Sequence, residues 1–254
     1  MEGLRTPFQG IYNIIRFNWH FYALSLALLG VLVISGSLLG SGFLSLSLLA
    51  STLILLPLLS SLIISYYIYD HSGLYALHWL ASIHLAPGAR IVNIHAGFDE
   101  TSVLLQQRFP EASLSVLDFY DPLKHTEVSI RRARKAYPPF PDTQVITTSQ
   151  LPFADNSADV VFLIFAAHEI RNEQERFVFF NELRRILKPG GKIVITEHLR
   201  DFPNFMAYTI GFFHFQPLSV WQRAFKGSGL YIDSSFRFTP FIHTFILQKH
   251  GTSS

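Results

Sequence analysis

The chain has no cysteine. Disulfides, thiol nucleophiles and zinc–thiolate centres are therefore excluded. Charge is scarce as well: 15% of the 254 residues are Asp, Glu, Lys or Arg, and the formal net charge is +2. A balance so near neutrality, with no long basic stripe, gives no electrostatic basis for binding nucleic acid. The scarcity is uneven. Between Arg16 and Asp70 there is no Asp, Glu, Lys or Arg at all.

A bilayer span needs about 20 predominantly apolar residues. The uncharged tract is long enough for two, and the glycine-rich stretch Gly36 to Gly42 is the natural break. Helices are expected near Trp19–Ser35 and Phe43–Tyr69, the second kinked or tilted around Pro57. Phe17, Trp19, Phe21 and Tyr22 open the first span, and Tyr66, Tyr67 and Tyr69 close the second. A hairpin brings both clusters to one interface, where aromatic rings prefer to sit. Arg5 and Arg16 flank that side and orient it to the cytoplasm. Three other readings compete: a cleaved signal peptide over Phe21–Ser35, a hairpin buried in a soluble core, and a pore lined by Ser45, Ser47, Ser51, Ser60 and Ser61. The membrane reading makes residues 1–70 a two-span anchor and residues 71–254 a domain on its cytoplasmic side. Asp70 to Leu85 reads as a helical link, closed by Pro87-Gly88.

The rest of the chain is organised around Leu151 to Leu199. Val160 to Ala166 is an apolar run of strand length. Phe177, Phe180, Leu183, Ile186 and Leu187 then recur at helical spacing, with Arg176, Glu182, Arg184 and Arg185 on the other face. Pro189-Gly190-Gly191 is expected to end the helix, and Lys192 to Thr196 is a second buried strand. Strand–helix–strand with a short loop is the parallel crossover unit of an α/β sheet.

The wording LPF-A-DNS-ADVV followed by ELRRILKPGGKIVI closely resembles class I methyltransferases that use S-adenosylmethionine. The resemblance extends in order and spacing over roughly Ile91 to Lys249. It implies a doubly wound, mostly parallel seven-stranded α/β sheet, closed by an antiparallel pair at Tyr231–Phe238 and Ile242–Gln248. Ligands of open α/β sheets sit beyond the carboxyl ends of the strands.

Under that resemblance, Ala89 to Ile94 is the first strand and His95 to Glu100 is the cofactor loop. The family's loop carries an acid and three alternate glycines. Here Asn93 stands in the acidic place, His95 and Asp99 in the first and third glycine places, and Gly97 is kept. Asn93 and His95 either face the cofactor or merely cap the following helix. Asp118, at the end of the second strand, matches the acid that holds ribose hydroxyls. Phe119 would flank the adenine, and Thr148 or Ser149 would contact it where the family often has an aspartate. Phe165, ending the fourth strand, completes the cofactor set. The basic run Arg131, Arg132, Arg134 and Lys135 reads as a solvated helix face.

His168-Glu169 follows the fourth strand and Glu197-His198 the fifth. Methyl transfer needs alignment, plus removal of a proton where the acceptor is acidic. Histidine titrates near neutrality, so His168 or His198 is the base candidate, oriented by Glu169 or Glu197. No metal is assigned, and a two-His, two-carboxylate metal site is the lesser alternative. Bonds from Glu169 and Glu197 to backbone or arginine would account for much of the same pattern. Phe205, Met206, Tyr208, Phe212, Phe213 and Phe215 would make an apolar acceptor pocket with His214 as a polar handle, or a helix resting on the membrane. The expectation is a membrane-anchored S-adenosylmethionine-dependent methyltransferase acting on a hydrophobic small molecule or lipid-like acceptor, its oligomeric state open. A degenerate methyltransferase fold serving as a non-catalytic scaffold is the alternative, and a nicotinamide oxidoreductase the third.

Overall fold

The structure is a computed structural model, and it describes residues 5–250. It opens with two long helices, α1 (Gln9–Leu38) and α2 (Ser41–Tyr66), which pack on each other as a hairpin. The turn falls at Leu39-Gly40, inside the expected break. Gly40 takes φ +94°, a conformation that glycine adopts without a Cβ clash. The helices meet through small residues. A Cβ on Gly36 would come 3.0 Å from that of Ser47, and Ser47, Ser51 and Ser65 are buried.

Leu24, Leu26, Val31 and Ile34 of α1, and Leu46, Leu53 and Leu56 of α2, are exposed. The hairpin is therefore not the buried core of a soluble domain. Both helices are long and apolar enough to cross a membrane. α2 runs through Pro57 unbroken, and the irregular residue lies in α1 instead: Asn18, at φ −116° and ψ 18°, whose amide donates to the Ile14 carbonyl. Before Asn18, α1 buries Gly10, Asn13 and Phe17. Beyond it, only Gly36 is buried.

α2 continues through a π-helical turn, Tyr67–His71, into two single 3-10 turns, Leu74–Ala76 and His78–Leu80. The expected linking helix over Asp70–Leu85 does not form. Gly73 and Leu77 both adopt positive φ and break it.

The domain that follows is a seven-stranded sheet: β1 (Arg90–His95), β2 (Ser113–Asp118), β3 (Gln144–Val145), β4 (Ala158–Ile164), β5 (Leu187–His198), β6 (Leu230–Thr239) and β7 (Ile242–Lys249). Their order is β3-β2-β1-β4-β5-β7-β6, parallel except for β7, which runs antiparallel to β5 and β6. Side chains alternate between two apolar layers. Val92, Ile94, Val161, Leu163, Ile193 and Ile195 point to one face; Ile91, Val160, Phe162 and Val194 point to the other. Burial on both faces explains why these strands read as continuous apolar runs.

The covering helices are α3 (Ser102–Arg108), α4 (Val128–Ala136), α5 (Glu173–Ile186), α6 (Phe202–Tyr208) and α7 (Leu218–Gly227). α5 is capped by Asn172, whose side chain accepts the Glu175 N–H. It ends at Ile186, before the Pro-Gly-Gly turn, which belongs to the start of β5 and accompanies a register shift against β4. Gly191 is needed there, because a Cβ would lie 2.9 Å from the Asp159 carbonyl oxygen. Arg176 is not on the solvent face. It is buried and donates to the Ile170 and Arg171 carbonyls.

Candidate active site

Chain order reverses across β1 and β4, which places the ligand crevice beyond the carboxyl ends of these strands. One side of it lies over β1 and β2, the other over β4 and β5.

On the first side the polar groups satisfy one another. Asn93, facing the same layer as Ile91, donates to the hydroxyls of Thr101 and Ser102 at 3.0 and 2.8 Å. Asp99 accepts the N–H groups of Thr101 and Ser102, each at 2.9 Å, and so caps α3. Gly97, at φ +94°, donates its N–H to His95 Nδ1 at 3.1 Å. The ring proton of a neutral His95 is then on Nε2, which is buried without a partner. Burial holds this imidazole below its ordinary pKa, against the pull of Asp99 and Asp118.

Asp118 stands at the end of β2, buried, its Oδ1 accepting the Tyr120 N–H at 2.9 Å. Its Oδ2 is held by the Arg134 guanidinium, which also reaches the Gly97 carbonyl and lies over the Tyr120 ring. Arg131, Arg134 and Lys135 are exposed as a solvated face requires, but Arg134 also turns its guanidinium to Asp118, and the half-buried Arg132 donates to the Phe17 carbonyl of α1. Phe119 does not flank this cleft: it is buried in the core against Phe179. Thr148 donates to Glu175 at 2.6 Å, and Ser149 is exposed beside Thr147. The structure brings none of these last three to Asp118.

Two voids remain, with His95 as their shared wall. One of about 50 Å³ is lined by Gly97, Asp118, Arg134 and Tyr137. The other, of about 90 Å³, is lined by Tyr75, Glu100, Ile130, Phe165 and Glu169. A pocket for a drug-sized ligand spans several hundred Å³, so the cleft is closed as described here. Arg5 and the first turns of α1 lie over it. Arg5 pairs with Glu100 at 2.7 Å, the Tyr75 hydroxyl donates to Glu100 at 2.7 Å, and Tyr137 donates to Asn13 of α1 at 2.8 Å.

β4 and β5 are hydrogen-bonded neighbours, so both His–Glu pairs do reach one edge. They separate into two clusters. Glu197 is fully buried; its Oε2 lies 2.7 Å from His168 Nδ1, and its Oε1 accepts the His168 backbone N–H. Glu169 Oε1 is 3.3 Å from His168 Nε2. Burial opposes charge on His168, but the two carboxylates outweigh it and its pKa is pushed up to about 10. His168 is an imidazolium at neutral pH and no general base.

His198 is the opposite case. Its Nδ1 lies 3.1 Å from Asn204 Oδ1 and 3.0 Å from the Phe241 carbonyl, both acceptors, so Nδ1 carries the proton. Its Nε2 then accepts the Tyr69 hydroxyl at 2.8 Å. The ring is stacked between Phe165 and Phe215 at 5.1 and 4.8 Å. Burial lowers its pKa to about 4, and it is neutral. Arg134 is the partner that sequence patterning missed. The signal for Arg134 was present, since Ile130, Ala133, Arg134 and Tyr137 share one helical face.

Residues 100–195 match the family model described as a methyltransferase domain. The chain is 31% identical to a ubiquinone/menaquinone biosynthesis C-methyltransferase of Geotalea daltonii, over 54% of this chain and 56% of that one. It is 32% identical to a demethylmenaquinone methyltransferase of Renibacterium salmoninarum, over 46% and 44%. It spans about half the length of these curated relatives. Among solved structures, a S-adenosylmethionine-dependent methyltransferase from Methanosarcina mazei superposes with a TM-score of 0.51 at 17% identity, covering 67% of this chain and 96% of that one. A geranyl diphosphate C-methyltransferase from Streptomyces coelicolor, solved with Mg2+, geranyl diphosphate and S-adenosyl-L-homocysteine, does so with 0.53 at 13%, covering 75% and 84%. By the sequence match over residues 100–195 and by the order of its sheet, the carboxy-terminal part of this chain is similar to class I S-adenosylmethionine-dependent methyltransferases and has their fold.

Proposed function

We propose that the chain is a membrane-anchored methyltransferase that transfers a methyl group from S-adenosylmethionine to a hydrophobic acceptor with an acidic proton. In this reading residues 1–70 are the two-span anchor, and residues 71–254 are the catalytic domain on the cytoplasmic side. The observation that carries the acceptor side is the neutral His198, bonded to a tyrosine that follows directly on the exposed apolar hairpin. The two curated relatives are named for ubiquinone/menaquinone biosynthesis and for demethylmenaquinone methylation, which supports a hydrophobic ring acceptor.

When bound, S-adenosylmethionine supplies an electrophilic methyl group on its sulfonium. The residues present fit that group in kind: Asp118 for the ribose hydroxyls, the unpartnered Nε2 of His95 as a buried donor, and Gly97 where the backbone approaches closely. Arg134 must leave Asp118 for the ribose to bind there. His198 Nε2 would take the acceptor's proton as the Tyr69 hydroxyl gives way. His168, fixed by Glu197 and Glu169, supplies a positive charge next to Glu169, which lines the 90 Å³ void. α6 and the turn Thr209–His214 expose Phe205, Met206, Ile210 and Phe213 next to α2, where Ser60 donates to the Met206 carbonyl. This surface suits entry from a lipid phase.

Calorimetry on detergent-purified protein should show binding of S-adenosylmethionine and S-adenosylhomocysteine, weakened about ten- to a hundredfold by Asp118→Ala. His198→Ala and Tyr69→Phe should lower turnover much more than cofactor affinity. Absence of binding to either nucleoside would leave the non-catalytic scaffold, a reading favoured by one observation, the sealing of Asp118 by Arg134. Release of the protein by carbonate without detergent would overturn the anchor.

A further inference from the structure

The titratable groups at the tips of β4 and β5 have an arrangement that proton transfer does not use. Two imidazoles turn their Nε2 atoms toward one carboxylate. Glu169 Oε1 is 3.3 Å from His168 Nε2 and 3.4 Å from His214 Nε2, and the three donor atoms lie within 4.8 Å of one another. Zinc bonds of 2.0–2.1 Å at tetrahedral angles place ligand atoms about 3.3 Å apart. Two of the three separations already have that value.

The outer atoms follow the same pattern. His168 Nδ1 is 2.7 Å from Glu197, and His214 Nδ1 is 2.8 Å from Glu127. A carboxylate behind the distal nitrogen of a histidine fixes its tautomer and raises the basicity of the nitrogen that faces a metal. Here both histidines have such a carboxylate, supplied by β5 for one and by the residue preceding α4 for the other. His214 comes from the turn after α6 and Glu169 from the turn after β4, so four separate chain segments converge.

We infer that His168, Glu169 and His214 form a site for a divalent transition ion, with zinc the best match to two imidazoles and a carboxylate. Glu197 and Glu127 orient the two histidines. Three protein ligands leave a fourth position for water or a substrate oxygen, as in catalytic rather than structural zinc sites. Glu169 also lines the 90 Å³ void, so that oxygen belongs to whatever occupies it. Arg171 is the competing cation. Its guanidinium contacts His214 Nδ1, lies 3.4 Å from Nε2 and 3.5 Å from Glu127, and donates to the His214 carbonyl. It supplies a positive charge to the same donors that the ion would take over. The donor set stands by itself; only the role of the fourth ligand rests on the methyl-transfer reading.

The test uses the full chain in detergent, stripped with chelator and titrated with zinc. One ion per chain should bind with micromolar affinity or tighter. Cobalt in its place should give the visible absorption of a four-coordinate nitrogen–oxygen site. His214→Ala and Glu169→Gln should each weaken zinc binding by more than tenfold, and Glu127→Gln by about tenfold. Arg171→Ala should tighten it severalfold. Circular dichroism checks that each variant is folded. No zinc binding to the folded chain, or stoichiometric binding unchanged in His214→Ala, overturns the site. S-adenosylhomocysteine titrated in parallel separates the two readings, because loss of zinc binding with nucleoside binding intact leaves methyl transfer standing.

Discussion

The two sides of the crevice are built on opposite terms. Over β1 and β2, most polar groups pair within the protein, Asn93 and Asp99 on the start of α3 and Asp118 on Arg134, with His95 Nε2 left over. Over β4 and β5, charge itself is buried and paired, with an imidazolium between two carboxylates and a neutral imidazole on a tyrosine. Each side must release a partner before it can bind: Arg134 from Asp118 on the first, Tyr69 from His198 on the second. The loop with a single glycine therefore still carries the groups proposed to hold a ligand. It has replaced an open turn by side chains that occupy one another.

The sharpest way to break this contrast is Glu197→Gln. Removing the charge from a fully buried partner leaves His168 with Glu169 alone, and chemical denaturation should show a loss of about 3 kcal/mol. A loss near zero would mean that the second side is as self-sufficient as the first.

Acidification comes next in size. The folded state holds His198 at about 4, below the ordinary 6.5 of an unfolded chain. The unfolded state therefore binds a proton first. This contribution is complete above pH 6.5 and is lost as the pH falls through 4, amounting to about 3 kcal/mol. Thermal melts of His198→Asn should lack that part of the acid slope.

On the first side, Arg134→Ala frees Asp118 and should tighten S-adenosylhomocysteine binding about three- to tenfold, a modest change because the arginine is one-third exposed. The smallest effect belongs to Asn93→Asp, which restores the family's acid. Its side chain faces Thr101 and Ser102 rather than either void, so nucleoside affinity should change less than twofold.

Much of the fold was legible because strand and helix periods differ and because both faces of the sheet are covered. The run Val160 to Ala166, the amphipathic pattern of α5 and the final strand pair all lie where the sequence places them, within a few residues. The Pro-Gly-Gly turn misled by suggesting a helix end, when it marks the irregular entry to a strand. Side-chain destinations were less legible. Strand alternation puts Asn93 and His95 on the face of Ile91, but the next contact depends on where α3 starts. Phe119 follows its strand into the core, and Arg176 turns inward to backbone carbonyls, because a residue's partner lies far along the chain. His214 was visible only as a polar residue in an aromatic segment; its meeting with Glu169 depends on the path of α6.

The unbroken passage of α2 into the turn bearing Tyr69 has a mechanical consequence. Each residue of a helix advances about 100° around its axis. Inserting or deleting one alanine between Pro57 and Tyr66 would swing that phenol away from His198, while the rod itself stayed intact. The hairpin thus sets the angle at which the crevice receives its tyrosine, acting as a key shank rather than a mere tether.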